Sequence, residues 1–545
     1  MSSNTLQQIR LSNNNKMRKI IFSISFLLST TLAFAQQNTI LIIADDVSSD
    51  YFGCFSTTSD TATTPNIRAL ANRGVSFTKV WSAPTCSPAR AGILAGRYPF
   101  RTGVGYVITS AASPQIDTAE ISISKLLKYS APITYNTACV GKWHLTVGQP
   151  AKYLYPNKMG FDYYSGNFNG AIPDYSNYTK ITNGVSSTVT TYATTQTLND
   201  AISWMDTMNT SKPFFLWLAF NAPHSPFHLP PATLCNTTGL SGTTADISAN
   251  PKKYFKAAIE AMDTEIGRLF QYLKARNLLN NTNIIFIGDN GNETQVAQIA
   301  NPNKAKATIY DYGIRVPMIV AGPAVVSPNR ICNELISTAD LFATVAELCG
   351  FYNWKNSIPS ATIIDSKSFL PILKNQIGTI RTWIFSEQFN NPTTAANGKT
   401  IRNKDYHLLR FDNGTEEFYN QTLDAEENTN LLTQTLTATD ISNYDFLCDS
   451  ITALTGTGTA CLTLAVENVS TENQVQIYPN PTGDFIHISS VKNIMKCEIA
   501  DYTVRLISSS NSNELNVSTL SKGVYFVKIY FNNASFTIHK FIKNK

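Results

Sequence analysis

The chain has 545 residues, 43% hydrophobic and 15% charged, which supplies a large core and excludes a disordered or collagen-like polymer. Its 43 Lys and Arg against 38 Asp and Glu leave a formal charge of +5, too thinly spread for a polybasic nucleic-acid binder. The charged fraction is low, and Thr, Asn and Ser carry the missing surface polarity, a common composition of exported proteins.

At the N-terminus, Arg18 and Lys19 precede an apolar run from Ile20 to Ala35 that closes with Ala33-Phe34-Ala35, a small-x-small cleavage pattern. Residues 1–35 therefore read as a signal peptide with Gln36 as the mature start, and Met17 is an alternative initiator because the residues before it are polar. The run is too short to span a bilayer comfortably, and no later segment reaches about 18 uninterrupted apolar residues, so a soluble chain is expected after cleavage.

From Asn38 onward, short apolar runs alternate with segments of helical period, the pattern of a parallel sheet covered by helices, and residues 36–350 are assigned to such a domain. The clearest strands are Thr39 to Ala44, Thr137 to Val140, Pro213 to Phe220 and Asn283 to Ile287. Between the last two, Lys252 to Leu279 reads as a core-covering helix with Tyr254, Ala258, Met262, Ile266, Leu269, Phe270 and Leu273 on one face. Residues 351–465, with the strand Tyr406 to Arg410, read as a smaller α+β subdomain and 466–474 as a linker. The last segment, 475–545, reads as a terminal β-sandwich with strands at Phe485 to Ile488 and Val524 to Tyr530.

Ligands of open α/β sheets collect at the carboxyl ends of strands, and four polar clusters follow the predicted strands. They are Asp45-Asp46, Lys142-Trp143-His144, Asn221 with His224, and Asp289-Asn290. Adjacent carboxylates repel one another unless a cation or a helix N-terminus absorbs the charge, so Asp45-Asp46 reads either as a helix cap with a solvated neighbour or as part of a cation site. Asp289-Asn290 taken alone is a common turn sequence. Together the two pairs offer hard oxygen donors that suit Ca²⁺ or Mg²⁺ rather than Zn²⁺.

Histidine is scarce, with six in the chain. His144 and His224 lie at strand ends, where either a structural hydrogen-bonding role or acid–base work beside an oxyanion is open. The segment Cys86-Ser87-Pro88-Ala89-Arg90 reads as a buried or disulfide-bonded cysteine opening a helix, or as a cysteine nucleophile activated there. The chain holds nine cysteines, an odd number that leaves at least one thiol unpaired within it.

Through these residues the chain resembles the type I sulfatases of the alkaline-phosphatase superfamily over roughly Asn38 to Leu432. The family signature C-x-P-S-R followed by Leu-Thr-Gly-Arg stands here as Cys86-Ser87-Pro88-Ala89-Arg90 and Leu94-Ala95-Gly96-Arg97, with Ala89 and Ala95 as mild departures. Further matches fall in the family's order at Asp45-Asp46, Gly141-Lys142-Trp143-His144, Ala222-Pro223-His224, Asp289-Asn290-Gly291, Lys306, Gly313-Ile314-Arg315-Val316-Pro317 and Thr338-Ala339-Asp340-Leu341. Asp311-Tyr312 replaces the usual Glu-Gly, a difference expected to be structural.

The resemblance implies an alkaline-phosphatase-like fold, mixed and mostly parallel, and an enzyme that hydrolyses sulfate esters, most plausibly of sulfated polysaccharides or their fragments. It implies that Cys86 is oxidised to formylglycine by a formylglycine-generating or anaerobic sulfatase-maturing enzyme, which leaves eight other cysteines, an even number whose pairing one sequence does not give. The hydrated aldehyde then attacks sulfur and its second hydroxyl expels sulfate. It further implies one Ca²⁺ held by Asp45, Asp46, Asp289, Asn290 and residue 86, with Arg90 stabilising the hydrated aldehyde. Lys142 and Lys306 would clamp sulfate, His144 would assist the diol, and His224 would serve the leaving-group oxygen as general acid. Arg315 and Glu387 are expected to brace the scaffold, and Thr102 to Thr118, Tyr163 to Thr190 and Leu229 to Asn250 are the candidate sugar loops. Tyr163, Tyr164, Phe168 and Tyr175 could stack on sugar rings, but loop packing is the commoner role.

The tail is similar to the C-terminal sorting domain of the type IX secretion system of Bacteroidetes. The matching pieces are Tyr478-Pro479-Asn480-Pro481-Thr482, Leu520-Ser521-Lys522-Gly523-Val524-Tyr525-Phe526 and the basic end Lys540, Lys543 and Lys545. It implies a secreted or surface-held enzyme that engages that machinery. Two alternatives were weighed: a phosphatase or phosphonate hydrolase of the same superfamily, disfavoured by six His and by Cys-x-Pro-x-Arg, and a noncatalytic glycan-binding protein, disfavoured by the intact polar set.

Overall fold

A computed structural model describes residues 36–56, 60–456, 461–462, 475–490, 493–501, 505–532 and 536–544. The expected signal peptide and linker lie outside the described residues. The chain divides into two units, Met1–Gln434 with Asn443–Ala460, and Thr435–Ser442 with Cys461–Lys545.

The first unit is built on a ten-stranded sheet. Its strands are β1 (Asn38–Ala44), β2 (Gly74–Trp81), β3 (Asn136–Gly141), β4 (Tyr163–Gly166), β5 (Tyr178–Thr182), β6 (Val185–Val189), β7 (Phe214–Ala219), β8 (Thr282–Gly288), β9 (Met318–Ala321) and β10 (Arg330–Ser337). They run in the order β10-β2-β9-β8-β1-β7-β3-β4-β5-β6. The centre, β8-β1-β7-β3-β4, is parallel, whereas β9 and the β4-β5-β6 meander pair antiparallel. The sheet is mixed and mostly parallel, as expected.

The central strands read as unbroken apolar runs because both faces are covered. Leu41 and Ile43 of β1, Phe215 and Trp217 of β7, and Ile285 and Ile287 of β8 face one core. The alternate residues Ile40, Ile42, Leu216, Leu218, Ile284 and Phe286 face the other. That second core is closed by the helix Pro251–Ala275, through Phe255, Ile259, Met262, Ile266, Leu269 and Leu273. The predicted helix is therefore present, with Tyr254 and Ala258 also buried, and it stops at Ala275.

A second, antiparallel sheet of the same unit joins β11 (Ile384–Gln388), β12 (Gly398–Arg402), β13 (Tyr406–Phe411) and β14 (Glu416–Asn420) in sequence order. It is tied to the large sheet by polar contacts. The Ser386 hydroxyl donates to the Ser82 carbonyl (2.7 Å), and Phe100 N–H donates to Glu387 Oε1 (2.7 Å).

The C-terminal unit has two antiparallel sheets, one of three strands and one of four. They enclose Ile486, Ile488, Cys497, Ile499, Leu515, Val527, Ile529 and Phe541, the sandwich expected from the alternating strands. Among the described residues, no helix is long and apolar enough to cross a membrane.

Among the described residues, Cys54, Cys86, Cys139, Cys235, Cys332, Cys349 and Cys497 are free thiols, an outcome the cysteine count leaves open. Most of these positions are buried in apolar surroundings, where cysteine packs as a small hydrophobe.

Candidate active site

Four neighbouring strands of the sheet deliver the polar clusters to one end. Asp45-Asp46 follow β1, Lys142 to His144 follow β3, His224 follows β7, and Asp289-Asn290 follow β8. Two of these residues leave their strands with positive φ, Asp46 at 61° and His144 at 50°. Such values are uncommon outside glycine and turn both side chains out of the strand path. At Gly141, with φ 99°, a Cβ would lie 1.8 Å from the Ala219 carbonyl oxygen, so only glycine lets β3 close on β7 just before Lys142.

Cys86 opens the helix Cys86–Ala95, which is buried along its whole length. This places residue 86 at a helix N-terminus under the four strand ends, with Sγ 4.0 Å from Asp46 Oδ1. One turn on, Arg90 reaches back across the site. Its Nε and Nη2 donate to Asp289 Oδ2 (3.0 and 2.8 Å), its Nη1 donates to the Lys142 carbonyl (2.9 Å), and Nη2 lies 3.5 Å from Asp45 Oδ1.

The remaining charges interlock with these. Lys142 Nζ pairs with Asp45 Oδ2 (2.6 Å), and both side chains are fully buried. Lys306 Nζ pairs with Asp46 Oδ2 and lies 3.2 Å from His224 Nε2, which is itself 3.3 Å from Asp46 Oδ2. Asn290 Nδ2 donates to Asp46 Oδ1 (2.7 Å), and Asp289 Oδ1 accepts the Asp46 N–H (3.0 Å). Every residue assigned to the site from sequence is thus within one network except His144, which lines the cleft beside it.

A cation fits this network on three observations. Asp45, Asp46, Cys86 and His224 each bring a ligand atom to within 4.8 Å of the others. Asp45 Oδ1 and Asn290 Oδ1 are buried without a hydrogen-bond partner, a costly state for oxygens that a hard ion would relieve. Burial also pushes the Asp45 carboxyl well above its ordinary range, against the pull of Lys142 and Arg90, so the site favours a positive species on that oxygen. Asp289 and Asp46 differ from Asp45, because both oxygens of each are engaged, those of Asp289 by Arg90 and the Asp46 amide, and those of Asp46 by Asn290 and Lys306.

The two histidines are held differently. His144 Nε2 lies 3.1 Å from the Ile108 carbonyl and must be the protonated nitrogen, which leaves Nδ1 buried and unpartnered. Burial, with Lys142 and Arg90 nearby, keeps His144 well below the usual histidine range and therefore neutral. His224 Nδ1 lies 2.7 Å from the Ser225 carbonyl, which directs Nε2 toward Asp46 and Lys306.

Above this floor opens a cleft of about 530 Å³, lined by Cys86, His144, His224 and Lys306 below and by residues 107–111, 146–149 and 168–171 as walls. Two of the three predicted sugar loops supply walls, and residues 229–250 do not. The third wall, residues 146–149, is not among the expected loops, although its position just beyond the end of β3 and His144 is the available signal. Of the aromatic residues singled out, Tyr164, Phe168 and Tyr175 are buried by packing, and Phe168 alone lines the cleft. Lys142 is buried beneath the floor.

The supporting residues are structural. Arg315 pairs with Asp311 (2.7 Å), while Glu387 accepts a backbone amide. Tyr312, half of the departure from Glu-Gly, donates its hydroxyl to Asp50 (2.6 Å). Asp340 pairs with Arg381, tying Thr338 to Leu341 into the scaffold.

Residues 37–351 match the sulfatase family, residues 304–444 match the C-terminal region of N-sulphoglucosamine sulphohydrolase, and residues 476–544 match the secretion system C-terminal sorting domain. N-acetylgalactosamine-6-sulfatase of Mus musculus is 29% identical over 62% of this chain and 67% of its own length. N-acetylgalactosamine-6-O-sulfatase of Bacteroides thetaiotaomicron is 26% identical over 66% and 81%. The crystal structure of Ps i-CgsB in complex with k-i-k-neocarrahexaose superposes with a TM-score of 0.64 at 26% identity, covering 77% of this chain and 92% of that one. These likenesses do not favour the phosphatase or noncatalytic alternatives. The chain belongs to the sulfatase family, as an exported sulfuric ester hydrolase with a C-terminal sorting domain.

Proposed function

We propose that the enzyme removes sulfate from a sulfated polysaccharide or its oligosaccharides at the cleft above Cys86, with residue 86 as formylglycine and Ca²⁺ as the resident ion. The observation that carries this reading is the convergence of four strand ends and one helix N-terminus on residue 86, with buried oxygens left over to bind a hard cation. The carbohydrate class rests on the relatives, N-acetylgalactosamine-6-sulfatases among them, and on the neocarrahexaose bound by the structural neighbour.

When present, formylglycine supplies a hydrated aldehyde as oxygen nucleophile, and Ca²⁺ supplies the Lewis acidity that makes that oxygen reactive. Asp45, Asp46, Asp289 and Asn290 would hold the ion together with residue 86. Arg90, fixed by Asp289 and the Lys142 carbonyl, would offset negative charge at residue 86. Lys306, which lines the cleft, and Lys142 beneath it would balance charge on the sulfate oxygens. His144, neutral and with Nδ1 unpartnered, would take a proton from the residue 86 side chain. His224 Nε2, the atom beside Lys306, would give a proton to the departing alcohol.

Export makes sense for such a substrate, since a polysaccharide has to be met outside the cell. A maturing enzyme acting before export and the type IX machinery acting during it are the protein partners of this reading. The test is mass spectrometry of the tryptic peptide Val80 to Arg90 from protein made in a host with a maturing enzyme, combined with sulfate release from aryl and sugar sulfates. A peptide about 18 Da lighter than the cysteine form, together with sulfate release, is expected. An unmodified Cys86 in fully active protein would overturn the nucleophile assignment.

A further inference from the structure

We propose that the cleft selects a sulfate carried on an otherwise uncharged sugar, and that it rejects rings bearing a second sulfate or flanked by a uronic acid. This inference deepens the sulfatase reading above and rests on it.

The three segments that wall the cleft contain no basic residue apart from His144 on its floor. Residues 102–124, 143–151 and 159–179 hold neither Lys nor Arg. The polar side chains the walls present at the cleft are Thr109, Ser110, Gln149 and Asn169, which are exposed, and the buried Thr146, all of them uncharged. The one lysine lining the cleft is Lys306, on its floor beside Asp46.

The basic residues that bound these segments are engaged elsewhere. Arg101 pairs with Asp365 (2.9 Å), and Lys125 donates to the Thr118 and Glu120 carbonyls. Lys152 donates to Gln115 Oε1 (2.7 Å), Lys158 lies over the Tyr155 ring (5.3 Å), and Lys180 pairs with Asp200 (2.8 Å). The charges the wall segments do carry are acidic. Glu120 and Asp162 are paired with Arg97 and Lys128, while Asp117 and Asp174 are exposed.

The physical consequence follows from desolvation. A carboxylate or second sulfate settling against these walls gives up water and finds amides and hydroxyls in place of a cation. The hydroxyls of a neutral sugar lose nothing comparable, because amide and hydroxyl side chains replace their hydrogen bonds to water. The floor then recognises one sulfate, and the walls recognise an uncharged ring.

The experiment uses the matured, Ca²⁺-loaded full chain. Sulfate release is measured from para-nitrophenyl sulfate, from neutral galactose and N-acetylgalactosamine oligosaccharides sulfated once at each ring position, and from the same sugars carrying a second sulfate or a flanking uronate. Turnover of the aryl ester, with kcat/KM for the best neutral monosulfated sugar at least about tenfold above its charged counterparts, supports the proposal. Asn169→Lys should raise the charged-to-neutral ratio at least about fivefold by giving the wall a cation. Turnover of the aryl ester with charged sugars equal or better, with no sugar cleaved, or with a ratio that Asn169→Lys does not move, overturns this inference and leaves the sulfatase reading standing. Absence of turnover on every ester, the aryl sulfate included, overturns both.

Discussion

Two of the buried clusters of titratable and charged groups in the first unit are finished to different degrees. In the scaffold cluster, Asp311 accepts from Trp81 Nε1 (2.8 Å), Arg315 Nε (2.7 Å) and Arg402 Nη1 (3.0 Å). Beside it, Glu427 accepts from the Asp311 amide (3.1 Å) and Gln421 (2.6 Å) and pairs with His407. None of these side chains keeps a buried polar atom without a partner. At the strand ends, by contrast, Asp45 Oδ1, Asn290 Oδ1 and His144 Nδ1 are buried without a hydrogen bond, although the same kinds of residue are present. A fully paired cluster holds two sheets together, and an incompletely paired one keeps valences open for an ion, a proton or a substrate.

The largest effect expected from this contrast is at Cys86. Cys86→Ala should lower kcat by about four orders of magnitude or more, with an unchanged far-ultraviolet circular dichroism spectrum and a melting temperature within a few degrees. Retained activity would remove residue 86 from the chemistry. Chelation of the resident ion comes next. Activity should fall at least about a hundredfold, and the melting temperature should drop because an ion that binds only the folded state stabilises it. Ca²⁺ should restore both better than Mg²⁺, which demands a tighter octahedral set. Unchanged activity after exhaustive chelation would mean that the unpartnered oxygens serve something other than a cation.

The scaffold cluster should respond in the opposite way. Asp311→Asn leaves Arg402 and Arg315 without their buried counter-charge and should cost about 3–5 kcal/mol of stability. The folded remainder should keep kcat within about twofold, because Asp311 touches scaffold side chains alone. A variant of full stability and low kcat would break the comparison, since it would make the paired cluster part of the site.

How much of this was legible beforehand depended on whether the signal was local. Strands such as Asn38–Ala44 and Phe214–Ala219 announce themselves because a strand buried on both faces is apolar at every position. The site residues were legible because each follows such a strand, and the ordered set resembles a family. What the sequence did not reveal are relations between distant segments. The engagement of both Asp289 oxygens by Arg90 and the Asp46 amide depends on how a helix lies beneath two strand ends. The walls at 146–149 depend on how a loop folds over His144. The cysteine count left pairing open, and what settles thiols such as Cys139 and Cys349 is their burial in apolar packing, which also raises their pKa values.

The smallest expected effect tests whether burial alone, without chemistry, can leave a titration signature in the scaffold. Glu387 is buried and makes no ion pair among the described residues; desolvation pushes its carboxyl up to about 7, although the Phe100 amide opposes the rise. A carboxyl whose folded value lies above its unfolded one binds its proton more tightly when folded. Its stabilising contribution is therefore complete below the ordinary glutamate range near 4.5 and is lost as pH rises through about 7. Glu387→Gln keeps an oxygen for the Phe100 amide and removes the titration. The variant should match the natural chain near pH 4.5 and exceed its stability by up to about 3 kcal/mol at pH 8, read as a widening gap in melting temperature. A gap that stays constant across that range would show that Glu387 is ionised in the folded protein at all of those pH values, and that the second sheet is held to the helix region by a charge rather than by a neutral hydrogen bond.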